Sequence, residues 1–368
     1  MRVATDGTTA PFLDDAFLHE DGSTLELEIA RDVDGDGRPD LVLPTGTGVI
    51  YRLWREGVPI LSAPGADVPV KAVNLEAEAP TLFARVAAEG SPPRLSFLRP
   101  IPSARDLDGD GRLDAVLPLA ARLAEVEGIR VRFGEEGTPL FGPTERGIEI
   151  AHAHGEVLGG EEALAFGDLD GDRVMELGLL TYDVEGLSLR ATRRLRVIHF
   201  GKGYVPDAAP WLDVDTDANL WEPSRLALDD LDGDGRGDVL VTHIGGLRKA
   251  SFTAELYRRS ASGRFEKEDQ TLKIGKDEKV DRSFLPAPVD LDGDGKSDFL
   301  VAGKAVVYEL GGIFQDGMVF TEPARKVTRI EGADKVLAVL VDPRPKSASP
   351  YYVVTRQKNG RNLITRVP

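Results

Sequence analysis

The chain has no cysteine among its 368 residues. That excludes a disulfide framework, a thiolate zinc site and a cysteine nucleophile. Long apolar runs are also missing: the longest, such as Val336 to Val341, fall far short of a bilayer span. Bases are outnumbered, with 45 Lys and Arg against 62 Asp and Glu, a net charge of −17 and no basic cluster to offset it. Such a chain repels nucleic acid and anionic membranes. The opening stretch, Met1 to Asp6, does not read as a secretion signal, so the protein is either cytosolic or has had a signal removed. No G-x-S-x-G elbow, phosphate-cradling glycine loop, H-E-x-x-H helix or sialidase-type S-x-D-x-G-x-T-W turn occurs. What remains is a chain with enough apolar content for a core. Its length ordinarily means two domains, unless a repeat holds it in one.

A repeat is present, and it explains the charge. DVDGDGRPD (Asp32 to Asp40), DLDGDGRLD (Asp106 to Asp114), DLDGDRVME (Asp168 to Glu176), DLDGDGRGD (Asp230 to Asp238) and DLDGDGKSD (Asp290 to Asp298) begin 74, 62, 62 and 60 residues apart. Each carries acids at positions 1, 3, 5 and 9. Setting those twenty aside leaves 42 acids against 45 bases, so nearly all the anionic excess lies in the loops. Four carboxylates in nine residues repel one another unless a cation sits among them.

Calcium suits the donors: it takes six to eight oxygens in irregular geometry, whereas Mg²⁺ insists on a tight octahedron and keeps its waters. The expected ligands are Asp32, Asp34, Asp36 and Asp40; Asp106, Asp108, Asp110 and Asp114; Asp168, Asp170, Asp172 and Glu176; Asp230, Asp232, Asp234 and Asp238; and Asp290, Asp292, Asp294 and Asp298. A main-chain carbonyl at or beside position 7 completes each set, from Arg38, Leu113, Val174, Arg236 or Gly237, and Lys296 or Ser297. Glycines at positions 4 and 6 permit the left-handed backbone that such a curl requires. Five ions would bring the net charge from −17 to −7.

An EF-hand is rejected by position 12, where a bidentate Glu and then a helix are required. Here that position holds Leu43, Leu117, Leu179, Val241 and Val301, and branched-rich strands follow. A second strand ending in a turn comes next in every repeat (GVIYRLWREG, IRVRFGEEG, LRVIHFGKG, AELYRRSASG, AVVYELGGIFQDG). Another strand precedes the loop, and a further one is expected in the variable remainder. The unit is therefore a four-stranded antiparallel sheet of about sixty residues, the size of a propeller blade. A sixth, degenerate unit spans Lys335 to Thr355, with Arg344 and Lys346 where the second and third carboxylates would stand, so it holds no metal. One more strand, from Asn362, ends the chain, and a segment before Asp32 is expected to supply the strand this last blade lacks.

The loop D-x-D-G-D-G-x-x-D between strands of a blade resembles the FG-GAP, or VCBS, repeat of integrin α chains and many bacterial secreted proteins. The likeness runs from about Leu25 to Thr355. It implies an all-β fold: a single β-propeller domain over residues 1–368, six-bladed or seven-bladed, with structural calcium at the carboxylates named above. The third loop departs from the pattern at Arg173 and Glu176, and its site is expected to be the weakest, since a non-glycine left-handed residue costs on the order of 1 kcal/mol.

Other candidates carry less. His152 and His154 alternate and could share a transition metal, but a surface pair is the better reading. Arg236-Gly237-Asp238 spells an integrin-binding tripeptide inside the fourth loop, where Asp238 is already committed. The acidic run Asp213 to Asp217 lacks glycines and reads as a solvated loop. Trp54, Trp211 and Trp221 read as core or rim residues. Insertions are expected between Pro64 and Pro102, with a short helix over Glu76 to Ala88, and from Val205 to Glu222. Loops of this kind often bind partners. The function expected is a non-catalytic module binding a protein or a glycan at the cell surface, in the periplasm or outside the cell, with calcium structural. No nucleic acid partner and no membrane insertion are expected. The alternatives are an enzyme acting on polysaccharide through a central channel or the long loops, and a subunit of a larger envelope assembly.

Overall fold

A computed structural model of the chain describes residues 2–3, 9–10, 30–31, 40–45, 48–58, 65–68, 81–85, 94–98, 103–120, 126–136, 145–149, 156–158, 164–183, 192–219, 224–245, 251–272, 287–303, 305–314, 318–320, 326–341, 351–359 and 362–367. Among them the fold is all-β, with no helix, in several small antiparallel sheets. No helix is long and apolar enough to cross a membrane.

Five sheets share one plan. The residue before each acidic loop pairs with the ninth residue of that loop: Arg31 with Asp40, Arg105 with Asp114, Gly167 with Glu176, Asp229 with Asp238, and Val289 with Asp298. Each loop is thus the connection of a hairpin. The tenth residue then pairs with the third strand in constant register: Leu41 with Arg52, Ala115 with Arg132, Leu177 with Ile198, Val239 with Tyr257, and Phe299 with Leu310. A fourth strand closes each sheet, at Gly65–Val68, Glu145–Glu149, Leu212–Asn219, Phe265–Leu272 and Lys326–Arg329. The third sheet gains a fifth member, Glu156–Leu158, paired to Glu176–Asp183. The position-12 residues Leu179, Val241 and Val301 point into the core and are buried, which is why an aliphatic stands where an EF-hand would need an acid.

Neighbouring units pack through their apolar faces. The second, third and fourth units contribute to one cluster that includes Leu107, Val131, Phe166, Leu179, Leu195, Leu226 and Val241, and the fifth and sixth share another around Leu300, Val307, Val336 and Tyr351. Gly178 shows how close the sheets come. A Cβ there would lie 2.6 Å from Leu228 Cδ1 and 2.7 Å from Leu226 Cδ2, so a larger residue would require the leucines of the fourth unit's first strand to shift.

Three expectations change. Part of the stretch expected to be helical, at Thr81–Arg85, is a strand, hairpinned to Arg94–Leu98; the β-branched and aromatic residues of TLFAR favour that pairing over a helix. The acidic run Asp213 to Asp217 belongs to the strand Leu212–Asn219 rather than to a loop. There Asp213 faces Arg194 (2.6 Å) and Arg196 (3.2 Å) across the pair, so alternating acids are matched by alternating bases. The excursion after Val205 is accordingly a small hairpin, Phe200–Gly201 with Val205–Pro206, followed by that edge strand. The sixth sheet has three strands, Ala333–Val341, Tyr351–Gln357 and Asn362–Val367. It is one strand short of the other units, as expected, and most of the segment before Asp32 expected to supply that strand lies outside the described residues; of that segment, Arg2–Val3 and Thr9–Ala10 pair with each other.

Candidate metal centres

The four described loops curl in the same way. The amide of position 6 donates to the position-1 carboxylate: Gly111 to Asp106 (2.9 Å), Arg173 to Asp168 (3.0 Å), Gly235 to Asp230 (2.9 Å) and Gly295 to Asp290 (3.0 Å). The amide of position 7 donates to the position-5 carboxylate: Arg112 to Asp110 (2.8 Å), Val174 to Asp172 (2.7 Å), Arg236 to Asp234 (2.9 Å) and Lys296 to Asp294 (2.9 Å). These local bonds hold the carboxylates around a common centre. Oxygens of Asp168, Asp170 and Asp172 lie within 4.8 Å of one another, as do those of Asp230, Asp232 and Asp234, of Asp290, Asp292 and Asp294, and of Asp106, Asp108 and Asp114. Hard oxygen donors at that spacing fit a calcium ion. Asp32, Asp34, Asp36 and Arg38 lie outside the described residues, as do His152, His154 and Trp221.

The curl depends on left-handed backbone at positions 4 and 6, with φ of +75° and +86° at Gly109 and Gly111. Arg173 occupies position 6 of the third loop at φ +73°, the strain expected of that loop.

Position 9 has a second task. Asp114 is buried and accepts from Leu107 N (2.7 Å) and Gly134 N (2.8 Å), tying the loop to its own start and to the turn after the third strand. Asp40 accepts from Trp54 N (2.6 Å) and Asp238 from Arg259 N (3.0 Å) at the equivalent turn, while Asp298 accepts from Leu291 N (3.3 Å). Burial pushes the Asp114 carboxyl up to about 7, against the pull of the Gly134 and Leu107 amides, with Asp108 and Asp110 adding repulsion. Asp238 is pushed to about 7 by burial, against the Arg259 amide, and Glu176 to about 8 by burial, against the Leu169 amide. Burial and the Asp110 charge also raise Asp108. A cation would offset these clustered charges. The burial of Asp238 also disposes of the Arg236-Gly237-Asp238 tripeptide as an exposed adhesion motif.

One feature absent from the sequence reading links the loops. The position-8 amide donates to the position-2 carbonyl of the preceding loop: Met175 to Leu107 (2.8 Å), Gly237 to Leu169 (3.0 Å) and Ser297 to Leu231 (2.9 Å). The position-2 leucines are fully buried. Successive loops are thus stacked by main-chain bonds, and in the fourth loop the approach is close enough that a Cβ at Gly237 would lie 2.5 Å from Leu169 Cα. The sequence could show the apolar position 2 but not its carbonyl's partner some sixty residues away.

The third unit holds another residue that sequence reasoning passed over. His199, just after the third strand, places Nε2 3.9 Å from Asp170 Oδ2 and 4.0 Å from Glu176 Oε1. Aligning the repeats by strand register would have exposed it: the same position is Phe133 in the second unit and Arg258 in the fourth.

Fold and loops together define a protein of repeated antiparallel sheets, each carrying a carboxylate-lined hairpin loop. A family profile described as an FG-GAP-like repeat matches residues 230–301, the fourth loop through the second strand of the fifth unit. No curated protein matches the chain. Among solved structures it is similar to the V. cholerae biofilm matrix protein Bap1, at 14% identity and a TM-score of 0.25, over 92% of this chain and 58% of that one. The chain thus spans 58% of that protein's length.

Proposed function

We propose that the chain is a calcium-stapled β-propeller of FG-GAP type that acts as a non-catalytic binding module at the cell surface or outside the cell. The observation that supports it most is repetition in register: three of the four described loops gather the carboxylates of positions 1, 3 and 5, the second gathers those of positions 1, 3 and 9, and each loop is bonded to its neighbour. A sheet of this size cannot bury both faces alone, and stacking units of one length around a closed ring hides them all. In this reading six units form one domain, closed between the sixth and the first. The first five loops hold calcium through the carboxylates of Asp32, Asp106, Asp168, Asp230, Asp290 and their alternating partners. Low-affinity loops of this kind fill at the millimolar calcium found outside cells and stay largely empty in the cytosol.

The ligand-binding surface is assigned to the segments that depart from the repeat, foremost the hairpin Thr81–Arg85 with Arg94–Leu98. Its ligand class is protein or glycan. Capture of partners from native envelope fractions and glycan arrays tests this. Ligands retained by the calcium-loaded chain and released by chelator are the expected result. Turnover of a polysaccharide by the purified protein, lost on replacing acids in the channel, would replace the reading with an enzymatic one.

A further inference from the structure

We propose that Asp170, Glu176 and His199 form a site for a divalent first-row transition ion, with Zn²⁺ the first candidate, distinct in kind from the all-oxygen loops. The site shares Asp170 with the third loop's carboxylate cluster and Glu176 with the ligands expected of that loop, but does not rest on the adhesion reading.

The third unit departs from its siblings in two places. In the second and fourth units the ninth residue is Asp, and one of its oxygens accepts the amide two residues past the paired end of the third strand, from Gly134 or Arg259. In the third unit the ninth residue is Glu. Its Oε2 takes the Leu169 amide at 2.6 Å, as Asp114 takes that of Leu107. The extra methylene carries Oε1 elsewhere. That oxygen is buried, on a side chain with no exposure, and has no hydrogen-bond partner. It faces His199 Nε2. A buried, unpartnered carboxylate oxygen is costly, and the imidazole alone leaves it at 4.0 Å, too long for a hydrogen bond.

The second departure supplies the nitrogen. In the fourth unit the position equivalent to His199 is Arg258, whose guanidinium pairs with Asp232, the third-position acid. That place therefore faces the third-position carboxylate, and a fixed cation fills it there. In the third unit a neutral-capable imidazole stands in the same relation to Asp170, with Nε2 3.9 Å from Oδ2. Oδ1 of Asp170 remains with the loop, accepting from Asp172 N at 3.2 Å.

The imidazole is held as a metal-ligating histidine is held. Its Nδ1 lies 2.9 Å from Asp207 Oδ2, which favours the proton on Nδ1 and leaves the Nε2 lone pair directed at the two carboxylates. The ring stacks on Trp211 with centroids 4.1 Å apart and planes 9° apart, and Trp211 is backed by Arg259 at 4.5 Å. One imidazole and two carboxylates form the donor set that suits zinc and its neighbours better than calcium. An ion bound at about 2.0–2.2 Å to each atom needs ligand atoms roughly 3.3–3.6 Å apart. The two spacings from Nε2, 3.9 and 4.0 Å, are a few tenths of an ångström longer than that, and the two carboxylate oxygens lie within 4.8 Å of each other. Three protein donors leave a coordination position for water on the partly exposed side.

The test is zinc titration of the full chain in saturating calcium, against a chromophoric competitor, with Co²⁺ absorption as a second probe. One ion per chain is expected to bind tightly in the presence of calcium. His199→Gln should weaken it by at least the ~10–100-fold seen on losing an outer partner, and Asp207→Asn should weaken it within that range. Zinc should also move the His199 ring nitrogen resonances. Should His199→Gln misfold, Asp207→Asn and those resonances still decide the matter. Unchanged zinc affinity in both variants, or complete displacement of zinc by millimolar calcium, overturns the proposal. Neither result bears on the calcium reading, whose readout is the calcium-dependent rise in melting temperature.

Discussion

Replacing Asp114 with alanine separates the two tasks of the loop acids. Its carboxylate accepts from Leu107 N and Gly134 N, both short bonds inside the fold. Leaving two buried amides without an acceptor costs about 1–3 kcal/mol each, so about 2–6 kcal/mol in total. Part of this returns, because the substitution also removes a buried carboxyl that burial has pushed up to about 7. The net expected loss is therefore about 2–3 kcal/mol, and it should persist in chelator, because the bonds involve no ion. Asp110→Ala is the matched control. Its oxygens serve only the exposed Arg112, through the amide at 2.8 Å and a solvent-exposed guanidinium pair at 2.7 Å, so in chelator it should cost less than about 1 kcal/mol and show its larger effect with calcium. Urea unfolding of both variants, with and without calcium, reads all four numbers. An Asp114→Ala loss under 1 kcal/mol in chelator, or one that appears only with calcium, would refute the assignment of position 9 as a main-chain anchor.

Further outcomes follow from the same geometry. At roughly ten times the dissociation constant each ion adds about 1.4 kcal/mol, or about 7 kcal/mol over five independent sites, so chelation should lower the melting temperature by many degrees. Asp292→Ala should capture only one site's share of that drop, and an unchanged melt in chelator would remove the structural role of metal. Gly109→Ala should destabilise by about 2–4 kcal/mol, because φ is +75° and the new Cβ would sit 2.7 Å from Arg173 O in the next loop; wild-type stability in a melt would contradict the stacking of the loops. Arg173→Gly relieves a left-handed arginine and should raise stability by up to about 1 kcal/mol, with a fall in the urea midpoint as the opposing result.

Much of the fold was legible because the repeat keeps phase. Acids at fixed positions marked the hairpin loops, and aliphatics at position 12 marked the strands that leave them. Those signals are local, and five copies average out noise. The departures were read less well. The segment around Thr81–Arg85 carries glutamates and alanines on either side that favour helix, yet a strand partner at Arg94–Leu98 decides it. The acidic run from Asp213 looked solvated because the arginines that match it, Arg194 and Arg196, lie on the neighbouring strand. His199 was invisible for a similar reason, since Asp170 and Glu176 are more than twenty residues away in sequence and its relation to them comes from sheet register. The inter-loop bonds from Met175, Gly237 and Ser297 are made by the main chain, which side-chain sequence does not report.

The central claim is that the carboxylate loops are cation seats, and crystals grown in millimolar calcium test it most directly through anomalous scattering. The account predicts a peak inside each of the loops beginning at Asp32, Asp106, Asp168, Asp230 and Asp290, and none beside Arg344 and Lys346. Well-ordered loops with no anomalous density at that calcium concentration would contradict it.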